Sequence, residues 1–436
     1  MSTHQTICLL NDSFPPLIDG VANTVMNYAE HISSSDNTSI VITPDHPDAD
    51  DNRFSYPVIR YPSIDIRRRT GYMAGIPFSP EIARQLKLKE VSILHSHCPV
   101  ASTILGRELR QIVDAPLILT YHTKFDVDIA NVIKSKALQS GSLKFLAQNI
   151  NACDEVWTVS KGAGENLRAL GYEGDYIIMP NGVDLPKERV SDDIIAKATE
   201  NYHLPNDCPI YLFVGRMMWY KGLKIIADAM SMLKASGKDF RMVFIGDGAD
   251  RKDAEAYVEQ IHVADKCIFT GALRDRELLR GWYCRSDLFI FPSTFDTNGL
   301  VVREAAANSL ASVLIRNSCA SEGIVDGVNG FLIDENAHSL YQCLSELYDN
   351  RSKMHSVGTC AGDQLYISWK DAVKNAMTRY QIVSEKHKSG QYKSHRKSAE
   401  FFIKANGELM DDIADLLMWR DNLREHIKDK RSNNKK

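Results

Sequence analysis

Two kinds of segment alternate along most of this chain, namely short apolar runs rich in β-branched residues and longer amphipathic runs. The short runs predict strands and the amphipathic runs predict helices. The predicted strands are 6–10, 39–43, 92–97, 117–122, 155–160 and 176–179, then 210–215, 241–246, 267–271, 288–292, 312–315 and 330–333. The predicted helices are 21–32, 101–112, 143–152 and 163–170, then 223–235, 252–261, 276–285, 300–308 and 340–348. This alternation predicts the α/β class, with two tandem doubly wound (Rossmann-like) domains whose ligands bind beyond the carboxyl ends of the strands.

The length of 436 residues also favours two domains, because single cores rarely grow that large. The predicted domains are 1–190 and 205–364, separated within the polar stretch 184–207, which contains Pro186 and Pro205. The alternation stops after Asn350. Residues 365–436 are expected to form crossover helices, 365–385 and 399–430, that pack back on the first domain and end in a basic tail.

Composition excludes several classes of protein. A net charge of −4 gives no general affinity for nucleic acid, so no nucleic-acid partner is predicted. No apolar run approaches the roughly 18 residues that a membrane span needs. The first residues lack the basic and apolar regions of a signal peptide, and the nine cysteines include no Cys-x-x-Cys pair. We therefore expect a cytoplasmic protein with reduced, mostly buried thiols.

Asp296 and Glu304 lie eight positions apart, the first in a loop after the strand at 288–292 and the second on the helix that follows. Between them, Asn298, Gly299 and Leu300 offer backbone N–H groups at a helix start, where the helix dipole favours an anion. A phosphate site bracketed by two carboxylates suits a sugar nucleotide. The spacing alone is common by chance, and the strand–loop–helix context is what gives it weight.

A second motif follows the first strand of the second predicted domain. Gly215 permits a tight exit from this strand, and Arg216 and Lys221 place two cations near its carboxyl end. As isolated surface cations they would carry no meaning. In this position they predict a clamp for a diphosphate, with Gly215 as a donor-binding residue.

The first predicted domain contributes its own candidates. Gly20, just before a helix, permits close approach of a ligand. His122 ends a strand and is predicted to hydrogen-bond in the cleft, and Lys124 and Asp126 after it are candidate acceptor contacts. His95 and His97 share one side of the sheet, and Asp126-Val-Asp128 is similar to a metal-binding Asp-x-Asp, but no set of partners completes either site. No metal and no cofactor are predicted.

Together these residues resemble the GT-B retaining glycosyltransferases of glycosyltransferase family 4. Asp296…Glu304 matches the family's Glu-x7-Glu element, and Gly215-Arg216…Lys221-Gly222 matches its Gly-Arg…Lys-Gly element. Residues 157–160, 180–184 and 326–331 are similar to further family segments, so that the match covers 6–375. The segments 293–304 and 121–123 are also similar to bacterial diacylglycerol glucosyltransferases.

The resemblance implies a role for each matched residue. Arg216 and Lys221 would bind the diphosphate and stabilise the departing nucleoside diphosphate. Glu304 would hold the ribose hydroxyls, and Asp296 would contact the donor sugar. The N–H groups near Gly299 and Leu300 would hold the phosphate and the sugar.

From the first domain, the resemblance implies that His122 touches the donor sugar and that Gly20 lines the reaction cleft. Three positions depart from the family pattern. Asp296 is one methylene shorter than the usual Glu, Tyr220 replaces a frequent Glu, and Cys319-Ala320 replaces a frequent Gly-Gly. The first and third put the identity of the donor sugar in doubt rather than the reaction.

The activity that the resemblance implies is transfer of a hexose, foremost glucose, from a UDP-sugar to an acceptor hydroxyl, without a metal and with retention. The acceptor is a membrane lipid such as diacylglycerol, or a glycan. The basic–apolar stretch Arg67-Arg68-Arg69, with Tyr72, Met73 and Ile76 after it, is either a solvated loop or a contact with an anionic membrane at the inner face of the cell membrane. The alternatives are a sugar-nucleotide epimerase or phosphorylase, a transferase to a soluble glycan or small molecule, and a non-catalytic sugar-nucleotide sensor.

Overall fold

The computed structural model describes residues 4–126, 129, 134–392 and 401–433. The chain divides into two compact units. The first unit comprises Met1–Val159, Ala163–Pro180 and Ala372–Lys436, and the second comprises Ser160–Gly162 and Asn181–Asp371. The two units are described separately below.

The first unit is built on a seven-stranded sheet in which all paired strands run parallel. Its strands are β1 (Thr6–Leu10), β2 (Thr38–Pro44), β3 (Val58–Tyr61), β6 (Ile93–Ser96), β7 (Leu117–Tyr121), β8 (Glu155–Thr158) and β9 (Tyr176–Ile178). Their order across the sheet is β3-β2-β1-β6-β7-β8-β9. A separate antiparallel hairpin joins β4 (Ser63–Asp65) to β5 (Met73–Gly75). The order reverses between β1 and β6, which is the switch point of a doubly wound sheet.

Helices connect the strands of this sheet. The helices are α1 (Gly20–Ser33), α2 (Arg67–Thr70), α3 (Pro80–Lys87), α4 (Ala101–Val113), α5 (Lys136–Asn151) and α6 (Lys161–Ala169). Every residue of β1, β6, β7 and β8 is buried, as expected for strands covered on both faces.

The second unit repeats the scheme with six parallel strands. They are β10 (Ile210–Val214), β11 (Arg241–Ile245), β12 (Cys267–Gly271), β13 (Leu288–Phe291), β14 (Ser312–Ile315) and β15 (Phe331–Ile333), in the order β12-β11-β10-β13-β14-β15. The helices are α7 (Asp192–Thr199), α8 (Leu223–Ala235), α9 (Arg251–Gln260), α10 (Arg276–Arg285), α11 (Leu300–Ala307), α12 (Ala337–Leu347) and α13 (Arg351–Leu365). The prediction of two doubly wound halves is confirmed.

Four described helices were not predicted, namely α2 and α3 in the first unit and α7 and α13 in the second. Helix α7 lies inside the stretch 184–207 that was predicted to separate the domains, and the part of the first unit that precedes this stretch ends at Pro180. The hydroxyl of Ser191 caps this helix, and Gly281 of α10 packs so closely on it that a Cβ there would lie 2.7 Å from that of Ala198. A short polar sequence is thus held helical by tertiary packing.

Helix α13 occupies the region where the alternation was predicted to stop. The glycines of α13 lower the intrinsic helix propensity of this segment. They are needed for packing, because a Cβ on Gly358 would lie 2.1 Å from the carbonyl oxygen of Ser309. The helix predicted at 365–385 begins four residues later, as α14 (Trp369–Lys388).

The C-terminal helices pack on the first unit as predicted. Arg379 of α14 holds the carboxylate of Glu155 at both oxygens, at 2.8 and 2.5 Å. The last helix, α15 (Phe401–Asn433), packs on α3 and α4 and buries Met410 and Ala414 in the first core.

Candidate active site

The two predicted motifs of the second unit meet in a direct ion pair. The Lys221 ammonium donates to Oδ2 of Asp296 at 2.7 Å, and the two side chains are 12% and 22% exposed. Lys221 ends a single helical turn after β10, and Asp296 follows β13, which is the neighbouring strand. The pair therefore lies beyond the carboxyl ends of the strands at the switch point of this sheet.

Glycine at position 222 makes this approach of the two loops possible. Gly222 has a left-handed backbone with φ of 82°, and a Cβ there would lie 2.1 Å from the carbonyl oxygen of Pro292. Any other residue would push the two loops apart. The same turn ends in Lys221, so this close contact fixes where the ammonium can reach.

The start of helix α11 lies directly beside this pair. Gly299 caps the helix with φ of 58° and ψ of 40°, and its N–H donates to Oδ1 of Asp296 at 3.2 Å. The Asn298 side chain is buried, and neither its oxygen nor its nitrogen has a hydrogen-bond partner among the described residues. Asn298 and Gly299 line one small cavity with Ser160, whose hydroxyl donates to the Thr297 carbonyl at 2.6 Å. Unsatisfied buried amide groups at a helix start suit a polar anionic ligand.

Arg216 is exposed and forms no hydrogen bond or ion pair with any residue in the described ranges. It follows Gly215, whose loop is packed against a second glycine-rich loop at the end of β11. A Cβ on Gly246 would lie 1.9 Å from the Gly215 carbonyl oxygen, and one on Gly248 would lie 2.4 Å from that of Met217. The sequence reasoning missed this second loop, although Gly246 ends a predicted strand and Gly248 lies two residues beyond it.

Glu304 lies along α11, away from the ion pair, in a cluster of its own. Tyr283 donates to its Oε2 at 3.2 Å, and Nη1 of Arg276 lies 3.4 Å from Oε1. Arg276 also donates to Asp184 at 3.0 Å. Burial raises the pKa of Glu304, and Arg276 and Tyr283 offset part of that rise. The sequence reasoning missed Arg276 and Tyr283 because nothing in their spacing relates them to Glu304.

His122 of the first unit belongs to a buried row of histidines. Its Nε2 lies 3.0 Å from Nδ1 of His97, and the two rings are stacked at 5.2 Å. Behind them, His95 is held by the Thr120 hydroxyl at 2.7 Å and the Tyr380 hydroxyl at 2.5 Å. Burial lowers the pKa of all three imidazoles, that of His122 to about 3, so they are neutral at physiological pH.

The remaining candidates of the first unit are not gathered into one contact. Gly20 opens α1, where Asp19 accepts from Val21 and Ala22, and a Cβ on Gly20 would meet nothing within 4 Å. Asp126 accepts from Asn166 at 3.3 Å, and Lys124 is half-buried.

Asp128, the second carboxylate of the Asp126-Val-Asp128 segment, lies outside the described residues. Within those residues no group of three or more His, Cys, Asp and Glu is arranged to hold a metal ion. That the protein needs no metal stays a prediction.

Solved structures place this fold among the glycosyltransferases. The chain is similar to Anabaena Alr3699/HepE in complex with UDP, with a TM-score of 0.69 and 16% identity over 87% of this chain and all of the other. Two family models also match, "Glycosyltransferase Family 4" over residues 18–187 and "Glycosyl transferases group 1" over 195–361. The fold is that of the GT-B glycosyltransferases. The chain belongs to glycosyltransferase family 4.

Two curated relatives show what such chains do elsewhere. A GDP-mannose-dependent alpha-mannosyltransferase of Corynebacterium glutamicum is 26% identical over 75% of this chain and 76% of its own length. An alpha-monoglucosyldiacylglycerol synthase of Acholeplasma laidlawii is 24% identical over 76% of this chain and 85% of its own. The prediction of a glycosyltransferase with a nucleotide-sugar donor is confirmed at this level. No helix in the described part of the chain is long and apolar enough to cross a membrane.

Proposed function

We propose that this enzyme transfers a hexose, foremost glucose, from a UDP-sugar to the hydroxyl of a membrane lipid such as diacylglycerol, with retention at the anomeric carbon. The observation that carries the proposal is the Lys221–Asp296 pair beside the start of α11. It puts a cation, helix N–H groups and a carboxylate within one small region, as a sugar diphosphate requires. The UDP complex of a structural neighbour and the glucosyldiacylglycerol synthases among the relatives support the choice of donor and acceptor.

The difficult step is departure of the diphosphate from an oxocarbenium-like anomeric carbon. Arg216, which has no described partner, and Lys221 stabilise the negative charge that develops on the leaving group. Helix α11 adds the partial positive charge of its first turn. Two cations and a helix start supply what a divalent metal supplies in other transferases, so we propose that no metal is needed.

Binding of the diphosphate changes the role of Asp296. The phosphate oxygens compete with its carboxylate for the Lys221 ammonium, which frees one carboxylate oxygen to accept from a hydroxyl of the donor sugar. Glu304 is the matching acceptor for the ribose hydroxyls, and His122 contacts the sugar from the first unit. Because its pKa is lowered to about 3, His122 acts as a neutral hydrogen-bonding group.

Transfer proceeds on one face of the sugar. The bond from the anomeric carbon to the phosphate oxygen breaks, the acceptor oxygen bonds to the same face, and the acceptor proton passes to the departing phosphate. The products are the glycosylated acceptor and UDP. Retention follows because entry and departure share a face.

A membrane surface is the proposed place of action. Ile64 and Tyr72 are exposed around the hairpin of the first unit, and Leu416 and Trp419 are exposed on α15. Of the basic residues between the hairpin strands, Arg67 is neutralised by its pair with Asp65 at 2.7 Å. Apolar contact therefore contributes more than charge, and binding to vesicles should persist at moderate salt.

The test is a donor-by-acceptor screen with product mass spectrometry. UDP-glucose, UDP-galactose and GDP-mannose are each offered with dioctanoylglycerol, a soluble maltooligosaccharide or no acceptor. Transfer from UDP-glucose to dioctanoylglycerol with an α-anomeric product, read by NMR, is expected. A β-linked product sinks the retaining mechanism, and epimerised donor without acceptor supports the epimerase alternative. A preference for GDP-mannose moves the donor assignment to that of the mannosyltransferase relative.

A further inference from the structure

His97 and His122 directly follow two neighbouring strands of the first unit. His97 comes after β6 and His122 comes after β7, and these strands are paired in parallel. The backbone N–H of His97 donates to the Leu10 carbonyl oxygen at 2.8 Å, which ties His97 to the next strand, β1. Parallel strands bring the residues after their carboxyl ends to one edge of the sheet, so the two imidazoles meet there.

The contact between the two rings is one hydrogen bond. Nδ1 of His97 lies 3.0 Å from Nε2 of His122, which is the separation of an ordinary hydrogen bond. Burial lowers the pKa of both residues, so both rings are neutral. In a neutral imidazole one ring nitrogen carries a proton and the other does not. The bond therefore has two possible directions, with the proton on either of the two facing nitrogens.

The remaining nitrogen of His97 distinguishes these two directions. Nε2 of His97 is buried and has no hydrogen-bond partner among the described residues. The ring is enclosed by His95, whose ring centre lies 4.1 Å away, and by Tyr28, whose ring centre lies 5.4 Å away. Nε2 therefore presents either an N–H group or a lone pair that no described side chain satisfies.

A bare nitrogen fits this position better than an N–H group. Buried N–H groups without an acceptor are rare in folded proteins, and unpaired acceptors are tolerated somewhat more often. The proton of His97 therefore lies on Nδ1 and is donated to Nε2 of His122. Because the hydrogen bond of one ring nitrogen sets the protonation of the other, His122 carries its own proton on Nδ1.

His95, the third member of the row, does not fix a direction. Its Nδ1 faces the Tyr380 hydroxyl at 2.5 Å, and its Nε2 faces the Thr120 hydroxyl at 2.7 Å. A hydroxyl can donate or accept, so either tautomer of His95 is satisfied. The tautomer of His122 therefore depends on His97 and not on the residues behind it.

Nδ1 of His122 is the ring nitrogen that a ligand can reach. It has no hydrogen-bond partner among the described residues and, unlike Nε2 of His97, it keeps accessible surface. His122 as a whole is only 7% exposed, so its ring is held in place by its surroundings while this one atom stays open.

We propose that His97 is a positioning residue that fixes the tautomer of His122, so that His122 presents an N–H group rather than a bare nitrogen to the donor sugar. The inference rests on the proposed function for the contact between His122 and the sugar. It adds the residue that sets this contact, the atom that makes it and the direction of its hydrogen bond. The sugar then offers an oxygen to His122 as acceptor, while Asp296 accepts from one of the sugar hydroxyls.

The same tautomer limits what His122 can do in the transfer step. A nitrogen that already carries a proton cannot take the proton of the acceptor hydroxyl. His122 is therefore a binding group and not a general base. The departing phosphate is left as the group that receives the acceptor proton, as in the step described above.

The first experiment determines the tautomer in the full-length protein. Histidine is labelled with ¹⁵N, and long-range ¹H–¹⁵N correlation spectra distinguish a protonated ring nitrogen from a bare one. The signals of the two residues are those that disappear in His97→Asn and in His122→Asn. In wild type without ligand, we expect Nδ1 of both residues to be protonated and Nε2 of both to be bare. A proton on Nε2 of His122 overturns the inference.

The second experiment changes the hydrogen-bonding role of residue 97. His97→Asn places an N–H donor near the position of Nδ1, whereas His97→Asp places an acceptor there. His97→Asp should move the proton of His122 to Nε2 and lower kcat/KM for the sugar donor by about 10-fold or more, the scale of one lost hydrogen bond. UDP affinity should stay unchanged, because UDP lacks the sugar.

Two further variants serve as rescue and control. His97→Asn should keep the wild-type tautomer of His122 and most of the wild-type kcat/KM, although it removes the same imidazole as His97→Asp. His46→Asn is the matched control, since His46 is a buried histidine of the first unit outside the row. It should leave both the spectrum of His122 and kcat/KM unchanged.

His97→Leu covers the case in which a buried carboxylate prevents folding, which thermal unfolding of His97→Asp would show. His97→Leu removes the donor without adding a charge. The single tautomer of His122 should then be lost, and kcat/KM should fall while UDP affinity is kept. A wild-type spectrum and wild-type rates in His97→Leu overturn the inference.

The outcomes separate this inference from the proposed function. If sugar transfer is observed, a reversed tautomer in wild type or an unchanged one in His97→Asp overturns the inference alone. Wild-type kcat/KM in His97→Asp, despite a reversed tautomer, overturns the sugar contact at Nδ1. The expected spectra without sugar transfer from any donor uphold the tautomer that His97 sets and remove the proposed transfer function, together with the sugar contact.

Discussion

Lys221 and Asp296 are 75 residues apart in the chain, yet their side chains meet at 2.7 Å between the ends of neighbouring strands β10 and β13. A largely buried ion pair of this kind has a high desolvation cost, so its net effect on stability is small. Its geometry matters more, because it holds an ammonium and a carboxylate ready beside the start of α11. A diphosphate would exchange places with the carboxylate rather than enter an empty site.

Replacing Lys221 should therefore lower the catalytic rate strongly and the free energy of unfolding only slightly. Lys221→Ala is expected to lower kcat by about 10²–10³-fold, the range for loss of one group that stabilises developing negative charge. Lys224→Ala is the control, since that lysine is exposed three residues later and pairs with Asp228 at 2.7 Å. Steady-state rates on the best donor and acceptor provide the measurement. Near wild-type kcat in Lys221→Ala would remove the clamp from the mechanism.

Asp296 is the position at which donor preference should change. Asp296→Glu restores the usual family residue and adds one methylene, so the carboxylate reaches further toward the sugar. We expect the ratio of kcat/KM between UDP-glucose and UDP-galactose to shift by about 10-fold, the scale of one misplaced hydrogen bond. Asp296→Asn should lower both values together. Equal ratios in wild type and Asp296→Glu would show that residue 296 does not read the sugar.

Replacing Glu304 should weaken binding of the nucleotide and leave recognition of the donor sugar unchanged. Glu304→Gln removes a charge-assisted acceptor, and we expect UDP affinity to fall about 10-fold. The affinity of 2′-deoxy-UDP should change much less, because one of the hydroxyls that Glu304 would hold is absent. Calorimetric titration of both nucleotides with both proteins gives a double-mutant cycle. Equal losses for the two nucleotides would place Glu304 away from the 2′-hydroxyl.

The fold and the meeting of the two motifs in the second unit could be predicted from the sequence. Alternation marked twelve of the fifteen described strands, and the rule that ligands bind beyond carboxyl strand ends brought Lys221 and Asp296 to one edge. Strands β4 and β5 have three residues each and lie outside the main sheet, and β3 is a partly exposed edge strand whose apolar run is interrupted by Arg60. Helix α13 was hidden by glycines that its packing requires. The Arg276–Glu304 contact joins two helices and leaves no trace in residue spacing.

Glu108 on α4 should make stability depend on pH. Burial raises the pKa of Glu108 to about 7, and the Asn406 side chain of α15 donates to its Oε1 at 3.3 Å. The folded state therefore binds a proton that the unfolded state releases near pH 4.5, and stability falls as the pH rises through 7. A glutamine at this position cannot ionise. The free energy of unfolding of Glu108→Gln, relative to that of wild type, should therefore rise by about 1–2 kcal/mol between pH 5 and pH 8. A constant difference across urea titrations at these pH values would contradict the assignment.

The buried histidine row should make stability fall as the pH decreases, which is opposite to the effect of Glu108. Burial lowers the pKa of His122 to about 3, while an unfolded histidine titrates near 6.5. Between these values the unfolded state binds a proton that the folded state does not, so stability falls as the pH drops below 6.5, by up to ~1.4 kcal/mol per pH unit for this residue. His122→Asn removes that titration. Its free energy of unfolding should therefore decline less than that of wild type from pH 7 to pH 5, by about 1–2 kcal/mol in urea titrations. His31→Asn, at a half-buried position in the last turn of α1 and outside the histidine row, is the control and should follow the wild-type slope. If wild type and His122→Asn lose stability in parallel, His122 accepts protons freely in the folded enzyme, and its proposed role as a neutral contact to the donor sugar fails with it.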